Sequence, residues 1–321
     1  MKRLRINPVY KKELKTSVRS ARIALTLLAY NGLLALIGLI AFYTVYQNAQ
    51  YSGMNYQDIL VAYTVLIVME FGLILFVIPA YTASAISGER ERQTLEILLT
   101  TSMKPIQIIW GKLLSSISTV LLLVISSVPV LSLVFSIGGV SVGDLMKYVL
   151  LVVVTAVYAG SFGLLFSVIF KKTTISTVCT YGMLLMLGAG TVVILLVIYL
   201  LLQQYYDTQY YAGLIQQYYR PDLGYGLCLL LLNPAITIAA MLFGQFGSIG
   251  EFYNIMEEFG TVSHVLTDHW FGISLVVQVI VSILVLHLAA RMLDPLTRGG
   301  RGDARRERRK HRKEQRGHAG A

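Results

Sequence analysis

Six apolar segments, each longer than 20 residues, constrain this chain more than any other feature of its sequence. A helix of about 20 apolar residues crosses the roughly 30 Å hydrocarbon core of a bilayer. The segments cover residues 23–46, 59–81, 113–137, 146–170, 175–202 and 271–292. The 321 residues are 55% hydrophobic and 14% charged, which leaves no long polar stretch for a soluble domain. We therefore predict an all-α membrane protein with six transmembrane helices.

The distribution of lysine and arginine predicts the orientation of these helices. With six spans, all of the 27 basic residues except Lys147 and Arg220 fall on one side of the membrane. Loops rich in basic residues usually face the cytoplasm. We therefore expect both termini in the cytoplasm, because an odd number of spans would scramble this division. The chain is then a multi-pass protein, which we expect in a bacterial plasma membrane.

Basic sequence flanks the transmembrane region, residues 23–292, at both ends. In residues 1–22, Asn7 is a suitable helix cap and Pro8 suits the first turn. We predict an amphipathic interfacial helix there, and the side chains expected at the lipid surface are Lys11, Lys12, Lys15 and Arg19. A leader that serves only topology is the alternative. We expect the tail, residues 293–321, to be disordered and to contact lipid headgroups rather than nucleic acid.

A long segment, residues 203–270, separates the fifth span from the sixth on the side opposite to the basic loops. Residues 203–226 carry seven tyrosines, a residue that favours the headgroup level of a membrane. Residues 227–245 are apolar but are interrupted by Asn233-Pro234. A full crossing there would place the tail outside the cell, against the charge distribution. We therefore predict broken, re-entrant-like outer helices before the sixth span.

The sequence holds no motif of an enzyme active site. It lacks a GxxxxGK[ST] phosphate loop, an HExxH zinc motif and a GxSxG elbow. Cys179 and Cys228 lie in apolar sequence without a CxxC spacing, so we interpret them as small buried hydrophobic residues. We therefore expect a non-catalytic membrane subunit that itself binds no metal or cofactor.

The loop between the second and third spans, residues 84–112, holds the most informative local pattern. Ser87-Gly88 is expected to break the helix of the second span. Four charges of alternating sign follow, and then three leucines with the spacing of one helical face. These residues are Glu89, Arg90, Glu91 and Arg92, followed by Leu95, Leu98 and Leu99. We interpret the pattern as a short docking helix between two spans, with an ordinary solvated turn as the alternative.

This loop resembles that of type-2 ABC exporter permeases, whose pattern is roughly S/A-x-E-[KR]-E-x-[GQ]-T-L-E-x-L-L-[AT]-[TS]-P. Residues 88–101 read GERERQTLEILLTT and match the pattern almost residue by residue. The amphipathic N-terminal segment, the six spans and the Leu232-Asn233-Pro234 element fit the family as well, so the resemblance covers most of the chain. The proline that usually follows the leucine pair falls later here, at Pro105.

The resemblance implies partners and a mechanism. Two permease subunits, identical or different, would pair, and each would bind a separate ATPase subunit that carries ATP and Mg²⁺. The leucine stripe would seat in a groove of the ATPase, and the charged residues would pair with its charges. The implied ATPase-coupling residues are Gly88, Glu89, Arg90, Glu91, Arg92, Thr94, Leu95, Glu96, Leu98 and Leu99. Closure of the two ATPases would then switch the spans between inward-facing and outward-facing states.

Two further features concern the inside of the spans. Glu70 lies deep in the second span, where an ionised carboxylate costs on the order of 2.5–3.5 kcal/mol. It is therefore predicted to face the translocation path or a partner helix, and a neutral Glu70 hydrogen-bonded within the bundle is the alternative. Five glycines are interpreted as helix-packing positions. They are Gly160, Gly163, Gly182, Gly188 and Gly190.

Three functions fit these features to different degrees. The leading hypothesis is the permease subunit of an ATP-driven exporter. The alternative is a membrane anchor or sensor whose partner ATPase does mechanical work without moving a solute. A secondary transporter ranks last, because it predicts inverted repeats and several intramembrane charges.

Overall fold

The computed structural model describes residues 10, 20–53, 55–96, 103–137 and 141–293, and the regular elements within these ranges are all helical. In chain order the helices are α1 (Ala21–Ser52), α2 (Tyr56–Thr82), α3 (Ser87–Glu91), α4 (Pro105–Ile137), α5 (Val142–Ile169), α6 (Thr173–Leu185), α7 (Thr191–Tyr211), α8 (Pro234–Gln245), α9 (Ile249–Phe259), α10 (His264–Asp268) and α11 (Trp270–Leu293). A π-helical turn, Met186–Gly190, joins α6 to α7, and a 3₁₀ helix, Gly224–Leu232, precedes α8.

Six stretches are long and apolar enough to cross a membrane, which confirms the predicted number of spans. They are Ile23–Tyr51, Gln57–Glu91, Pro105–Ser132, Val142–Ile169, Thr173–Tyr211 and Trp270–Leu293. The helices continue past the apolar sequence at some ends, because interfacial residues remain helical there. Thus α4 begins at Pro105 rather than at residue 113, and α7 continues to Tyr211 rather than ending at residue 202.

Consecutive spans run in opposite directions, which gives the helical bundle two distinct ends. The α2–α4 and α5–α6 connections lie at one end, which we call the basic face because it carries Arg90, Arg92 and Lys104. The other end, the opposite face, carries the α1–α2 and α4–α5 connections and residues 212–269. Lys147 and Arg220 are the basic residues at this face in the described part of the chain.

Short polar side chains determine where several helices begin. Ser141 and Asp144 form a reciprocal capping box at the start of α5, in which each side chain accepts a hydrogen bond from the other residue's backbone N–H. At the start of α8 the Asn233 side chain accepts from the backbone N–H of Ala235 at 2.8 Å, and Pro234 occupies the first turn. The capping box therefore places the start of α5 at the opposite face, whereas the Asn233 cap starts α8 inside the bundle, beside the π-helical turn between α6 and α7.

The α5 helix forms the centre of the bundle and packs against α11, α2, α6 and α4. Its closest approach to a neighbour is at Gly163, where an added Cβ would lie 2.1 Å from Thr82 Oγ1 of α2. One turn earlier, a Cβ at Gly160 would lie 3.0 Å from Leu113 Cδ1. These two glycines are packing positions, as predicted, since only a residue without a side chain lets α2 and α5 approach this closely.

The interpretation of the other three glycines as helix-packing positions does not hold within the described structure. No described atom lies within 4 Å of a Cβ built on Gly182 or Gly188. A Cβ on Gly190 would meet Met186 of its own π-helical turn at 3.3 Å, not another helix. Composition alone does not distinguish a glycine that faces a neighbouring helix from one that faces outward.

The segment before the last span is broken as predicted. The 3₁₀ helix Gly224–Leu232 and α8 meet at an angle of 97° at Asn233. The Asn233 amide donates to the carbonyl of Gly188 at 2.8 Å and to Thr191 Oγ1 at 2.9 Å, which fixes the corner to the π-helical turn. A second apolar core closes around this excursion. It contains Leu195, Leu227, Leu230, Leu231, Ala240, Phe252, Met256 and Trp270.

Asp222 closes this region at the surface of the opposite face. Its carboxylate accepts hydrogen bonds from Thr261 Oγ1 at 2.6 Å, from the Thr261 backbone at 2.9 Å and from the Gly224 backbone at 2.7 Å. The bonds from Thr261 hold the pKa of Asp222 below its ordinary value. A Cβ on Gly260 would lie 2.7 Å from Asp222 Oδ1, so the contact requires a glycine there. Asp222 thus joins the loop after α7 to the loop after α9.

Candidate functional site

The segment that joins α2 to α4 at the basic face differs from its prediction in where the helix breaks. The α2 helix ends at Thr82, and Ser87-Gly88 begins α3 rather than breaking a helix. The Thr82 and Ser87 hydroxyls each donate to the carbonyl four residues earlier, at 2.9 Å in both cases, and such bonds bend helices. The Ser167 hydroxyl of α5 accepts from the backbone N–H groups of Ile86 and Ser87. A tertiary contact therefore satisfies the first amides of α3.

Arg90 fastens α3 to the carboxyl-terminal end of α5. Its guanidinium donates to the carbonyl of Phe170 at 3.1 Å and to the carbonyl of Val168 at 3.2 Å. The last carbonyls of a helix have no partner within the helix and carry partial negative charge, so a cation is favoured there. Arg90 thus acts as a cap for a different helix from the one that carries it.

Glu91 makes the matching contact with the amino-terminal end of α6. Its two carboxylate oxygens accept from the Thr173 backbone N–H at 2.8 Å and from Thr173 Oγ1 at 2.9 Å. A carboxylate is favoured at this end of a helix for the same reason that a cation is favoured at the other end. Arg90 and Glu91 together hold both sides of the corner between α5 and α6.

Glu89 adds a third attachment, to α4. Its carboxylate lies 2.7 Å from Lys112 Nζ, and the lysine side chain is only 3% exposed. A buried ammonium group needs such a partner, because an uncompensated charge in the interior is strongly destabilising. The alternating charges, predicted to pair with an ATPase, therefore bond largely within the chain. Glu91 and Arg92 are the exposed members of the four, and of these two Glu91 bonds to Thr173.

Gln93 turns the chain sharply after α3. It has a φ of 58°, its backbone N–H donates to the carbonyl of Arg90, and the N–H of Thr94 donates to the carbonyl of Glu89. These two bonds around a left-handed residue form a Schellman motif, which is favoured by glycine. This preference agrees with the glycine that the resembling permease loops allow at this position.

The turn at Gln93 directs Leu95 back into the bundle. Leu95 is 7% exposed and belongs to the main hydrophobic core. Its side chain was expected in an exposed docking stripe, but it packs inside the bundle instead. Leu98 and Leu99 lie outside the described residues. Among residues 92–96, the exposed side chains are those of Arg92, Gln93, Thr94 and Glu96.

Glu70 lies at the centre of a polar cluster inside the bundle and is 0% exposed. Its Oε1 accepts from the Tyr30 hydroxyl of α1 at 3.1 Å and from the Ser127 hydroxyl of α4. The hydroxyl of Tyr148 on α5 faces the same carboxyl group, and neither this hydroxyl nor Glu70 Oε2 has a hydrogen bond to any other described residue. The arrangement favours a carboxyl group that links helices within the bundle over one that faces an open path.

The opposite face carries a cavity that no sequence pattern predicted. A groove of about 680 Å³ lies between α5, α8, α9, α10 and α11. Its one lining residue from α5 is Lys147, a basic residue on the face from which almost all others are absent. The position of Lys147 on this face was the sequence signal that could have indicated the groove. Neither this groove nor a second cavity of about 620 Å³ along α7 includes Glu70.

The expected lipid contacts of the N-terminal helix lie outside the described residues, as do Lys11, Lys12, Lys15 and Arg19. Tyr10 is described, and its hydroxyl lies 3.1 Å from Ser118 Oγ of α4. Within the described ranges no cluster of three or more His, Cys, Asp or Glu side chains is arranged to hold a metal ion.

Comparison with known proteins adds one finding to this geometry. A family model described as ABC-2 family transporter protein matches residues 7–294. The match includes the six spans, the charged segment around α3 and the broken helices before α11. No curated protein matches the chain.

Proposed function

The chain belongs to the ABC-2 family of transporter proteins, and from this premise we propose that it is the permease subunit of an ATP-driven exporter. It is a multi-pass membrane protein that belongs to an ABC transporter system. Two copies of a separate ATPase subunit would bind ATP and Mg²⁺, and this chain would bind neither. The basic face would lie in the cytoplasm of a bacterium, where the ATPase has access to it.

The observation that supports this proposal is the attachment of α3 to three different helices. Glu89 contacts Lys112 of α4, Arg90 contacts the end of α5 and Glu91 contacts the start of α6. A loop that serves only to connect two spans needs none of these contacts. A force applied to α3 would instead be carried directly to three spans, as coupling to an ATPase requires.

The ATPase would contact the side of the segment that the bundle leaves exposed. Arg92, Thr94 and Glu96 are exposed there, whereas Leu95 anchors the segment in the core. The pair Leu98 and Leu99 follows directly in the sequence, and we propose that it supplies the apolar part of the contact. This division differs from the expected leucine stripe, because Leu95 is buried in the core.

A second permease subunit would complete the translocation path. The α1 helix exposes apolar side chains along its length, among them Leu28 at 73% and Leu39 at 71%. Glu70 is sealed within the bundle, so a path lined by this chain would have to lie between two subunits. The alternative function, an anchor that moves no solute, predicts a sealed interface between the subunits instead.

Co-purification of the ATPase tests the coupling assignment. We expect Leu98→Asp combined with Leu99→Asp, and separately Arg92→Glu combined with Glu96→Lys, to abolish co-purification of an ATPase with the affinity-tagged full chain from its host membranes. The physical reason is that charges in an apolar contact, or reversed charges at its rim, oppose association.

The matched control is Lys171→Glu, which reverses an exposed charge on the same face. Lys171 lies outside residues 87–99, which we call the coupling segment. This variant should retain the ATPase, and all variants should insert into the membrane at the level of the unmodified chain. Retention of the ATPase by both double variants would rule out this segment as the coupling element.

A further inference from the structure

The groove between α5 and α11 has the form of a ligand site rather than a packing defect. Its volume of about 680 Å³ lies within the range of roughly 300–1,000 Å³ that is usual for small-molecule sites. It begins at Asp268 and His269, at the opposite face, and continues along α11 to Val277. The six-residue step from Phe271 to Val277 corresponds to a depth of about 9 Å along a helix.

The walls of the groove are apolar and are opened by two glycines. Met241, Ile273 and Val276 line its sides. Gly244 of α8 and Gly272 of α11 also line it, and a Cβ on either would meet no described atom within 4 Å. Because larger residues at these two positions would fill the space, the groove depends on them. A groove with such walls at the edge of a bilayer suits the acyl part of a lipid.

The mouth of the groove carries one cationic and two hydrogen-bonding groups. Lys147 has a side chain that is 55% exposed and lies 3.5 Å from Asp144, so the ammonium retains donors that point away from this partner. Asp268 contributes an exposed carboxylate. His269 donates from Nδ1 to the carbonyl of Val265 at 3.1 Å, which leaves Nε2 of the neutral ring as an acceptor.

These groups complement a zwitterionic headgroup that contains a primary amine. Lys147 matches a phosphate diester, and Asp268 with His269 Nε2 matches an ammonium group that has N–H donors. A choline headgroup offers no N–H donor, and a glycerol headgroup offers no positive charge to Asp268. We infer that the groove binds one phosphatidylethanolamine-type phospholipid, with its headgroup between Lys147 and Asp268 and its acyl region along α11. The inference does not depend on the ATPase coupling proposed above.

Photo-crosslinking to the full chain tests this inference. The chain is reconstituted in phosphatidylcholine nanodiscs that contain a small fraction of phosphatidylethanolamine with a photoreactive group in its acyl chain. We expect crosslinks concentrated in residues 240–249 and 267–277, compared with the lipid-facing residues 192–201 of α7. Gly244→Leu combined with Gly272→Leu should lower crosslinking at the groove by about tenfold or more, as expected for the loss of about two methylene contacts.

Gly182→Leu is the matched control, since Gly182 is a helical glycine that also faces open space but lies outside the groove. It should leave crosslinking at the groove unchanged. Equal crosslinking at the groove and at residues 192–201, or no effect of the double variant, would mean that the groove contacts only bulk lipid and would overturn the inference. Each single glycine variant should lower crosslinking at the groove by a smaller factor. These single variants test the inference if the double variant does not fold.

Competition between unlabelled lipids and the probe identifies the preferred headgroup without changing the packing of the groove. Unlabelled phosphatidylethanolamine should compete with the probe better than phosphatidylcholine or phosphatidylglycerol, by about tenfold for one charge-assisted contact. Asp268→Asn should remove this preference, because Asp268 is the group that contacts the amine. Lys147→Gln should instead weaken competition by all three lipids, since each carries the phosphate, whereas Lys171→Gln on the basic face should not. Equal competition by all three lipids would overturn the assignment of the headgroup.

Discussion

Glu70 shows how a charged side chain is accommodated inside a transmembrane bundle. Its carboxyl group accepts from Tyr30 of α1 and from Ser127 of α4, so that one residue of α2 links three helices. Removal of the Glu70 carboxyl group would leave the buried Tyr30 hydroxyl without a hydrogen-bond partner, which lowers the free energy of unfolding by about 1–3 kcal/mol. The geometry thus gives Glu70 a structural role whether or not it also acts in transport.

Two substitutions separate these roles of Glu70. Glu70→Gln keeps an acceptor for Tyr30 and Ser127, so it should change the free energy of unfolding by less than about 1 kcal/mol, whereas Glu70→Leu should lower it by about 1–3 kcal/mol. Thermal unfolding of the purified chain in detergent measures both. If Glu70→Gln also alters the ATP turnover of the co-purified complex, the charge or proton of Glu70 takes part in transport. Unchanged turnover would limit it to linking the helices.

The crossing of α2 and α5 determines how the elements of the bundle fit together. Gly163 lies against Thr82, the last residue of α2, and against the backbone N–H of Ala83. Ala83 in turn lies where the chain bends towards α3, and its carbonyl accepts from Ser176 of α6. The contact at Gly163 therefore also places the coupling segment relative to α6.

Gly163→Ala should therefore be destabilising despite the higher helix propensity of alanine. The new Cβ would lie 2.8 Å from Thr82 Cβ and 3.3 Å from the Ala83 nitrogen, so the backbone must shift. Overpacking of this kind costs about 1–3 kcal/mol. Gly182→Ala is the control, because it meets no described atom and should stabilise its helix by about 0.5–1 kcal/mol. Thermal unfolding of both variants measures the difference, and equal behaviour would contradict the proposed crossing.

At the scale of the whole molecule, the basic face and the bundle are connected through polar contacts as well as through the apolar anchor Leu95. Arg90 contacts the end of α5, the central helix, while the neighbouring Arg92 is exposed. In the proposed function, binding of an ATPase and transmission of its movement therefore rest on different residues. The two processes should be separable by mutation.

Arg90→Met tests this separation. It removes two charge-assisted hydrogen bonds to α5, worth about 1.5–3 kcal/mol each, but leaves the exposed surface of the coupling segment in place. We expect the ATPase still to co-purify, while the stimulation of its ATP turnover by the permease falls by about tenfold or more. Arg92→Met is the matched control and should weaken binding instead. The reverse pattern would contradict the division between the two arginines.

The sequence by itself determined the features that depend on solvent transfer and local chain chemistry. Apolar runs long enough to cross a bilayer gave six spans, and Asn233-Pro234 gave the break before α11, because a cap and a proline act within a few residues. The pattern from Gly88 to Thr101 identified the family, which the match over residues 7–294 confirms.

Only the tertiary structure decided which partner each side chain has. Glu89, Arg90 and Glu91 bond to α4, α5 and α6, and Leu95 turns inward after Gln93. The groove at the opposite face likewise exists only because α5, α8 and α11 come together around two glycines. Periodicity shows which residues share a helical face, whereas what that face meets depends on contacts between residues far apart in the chain.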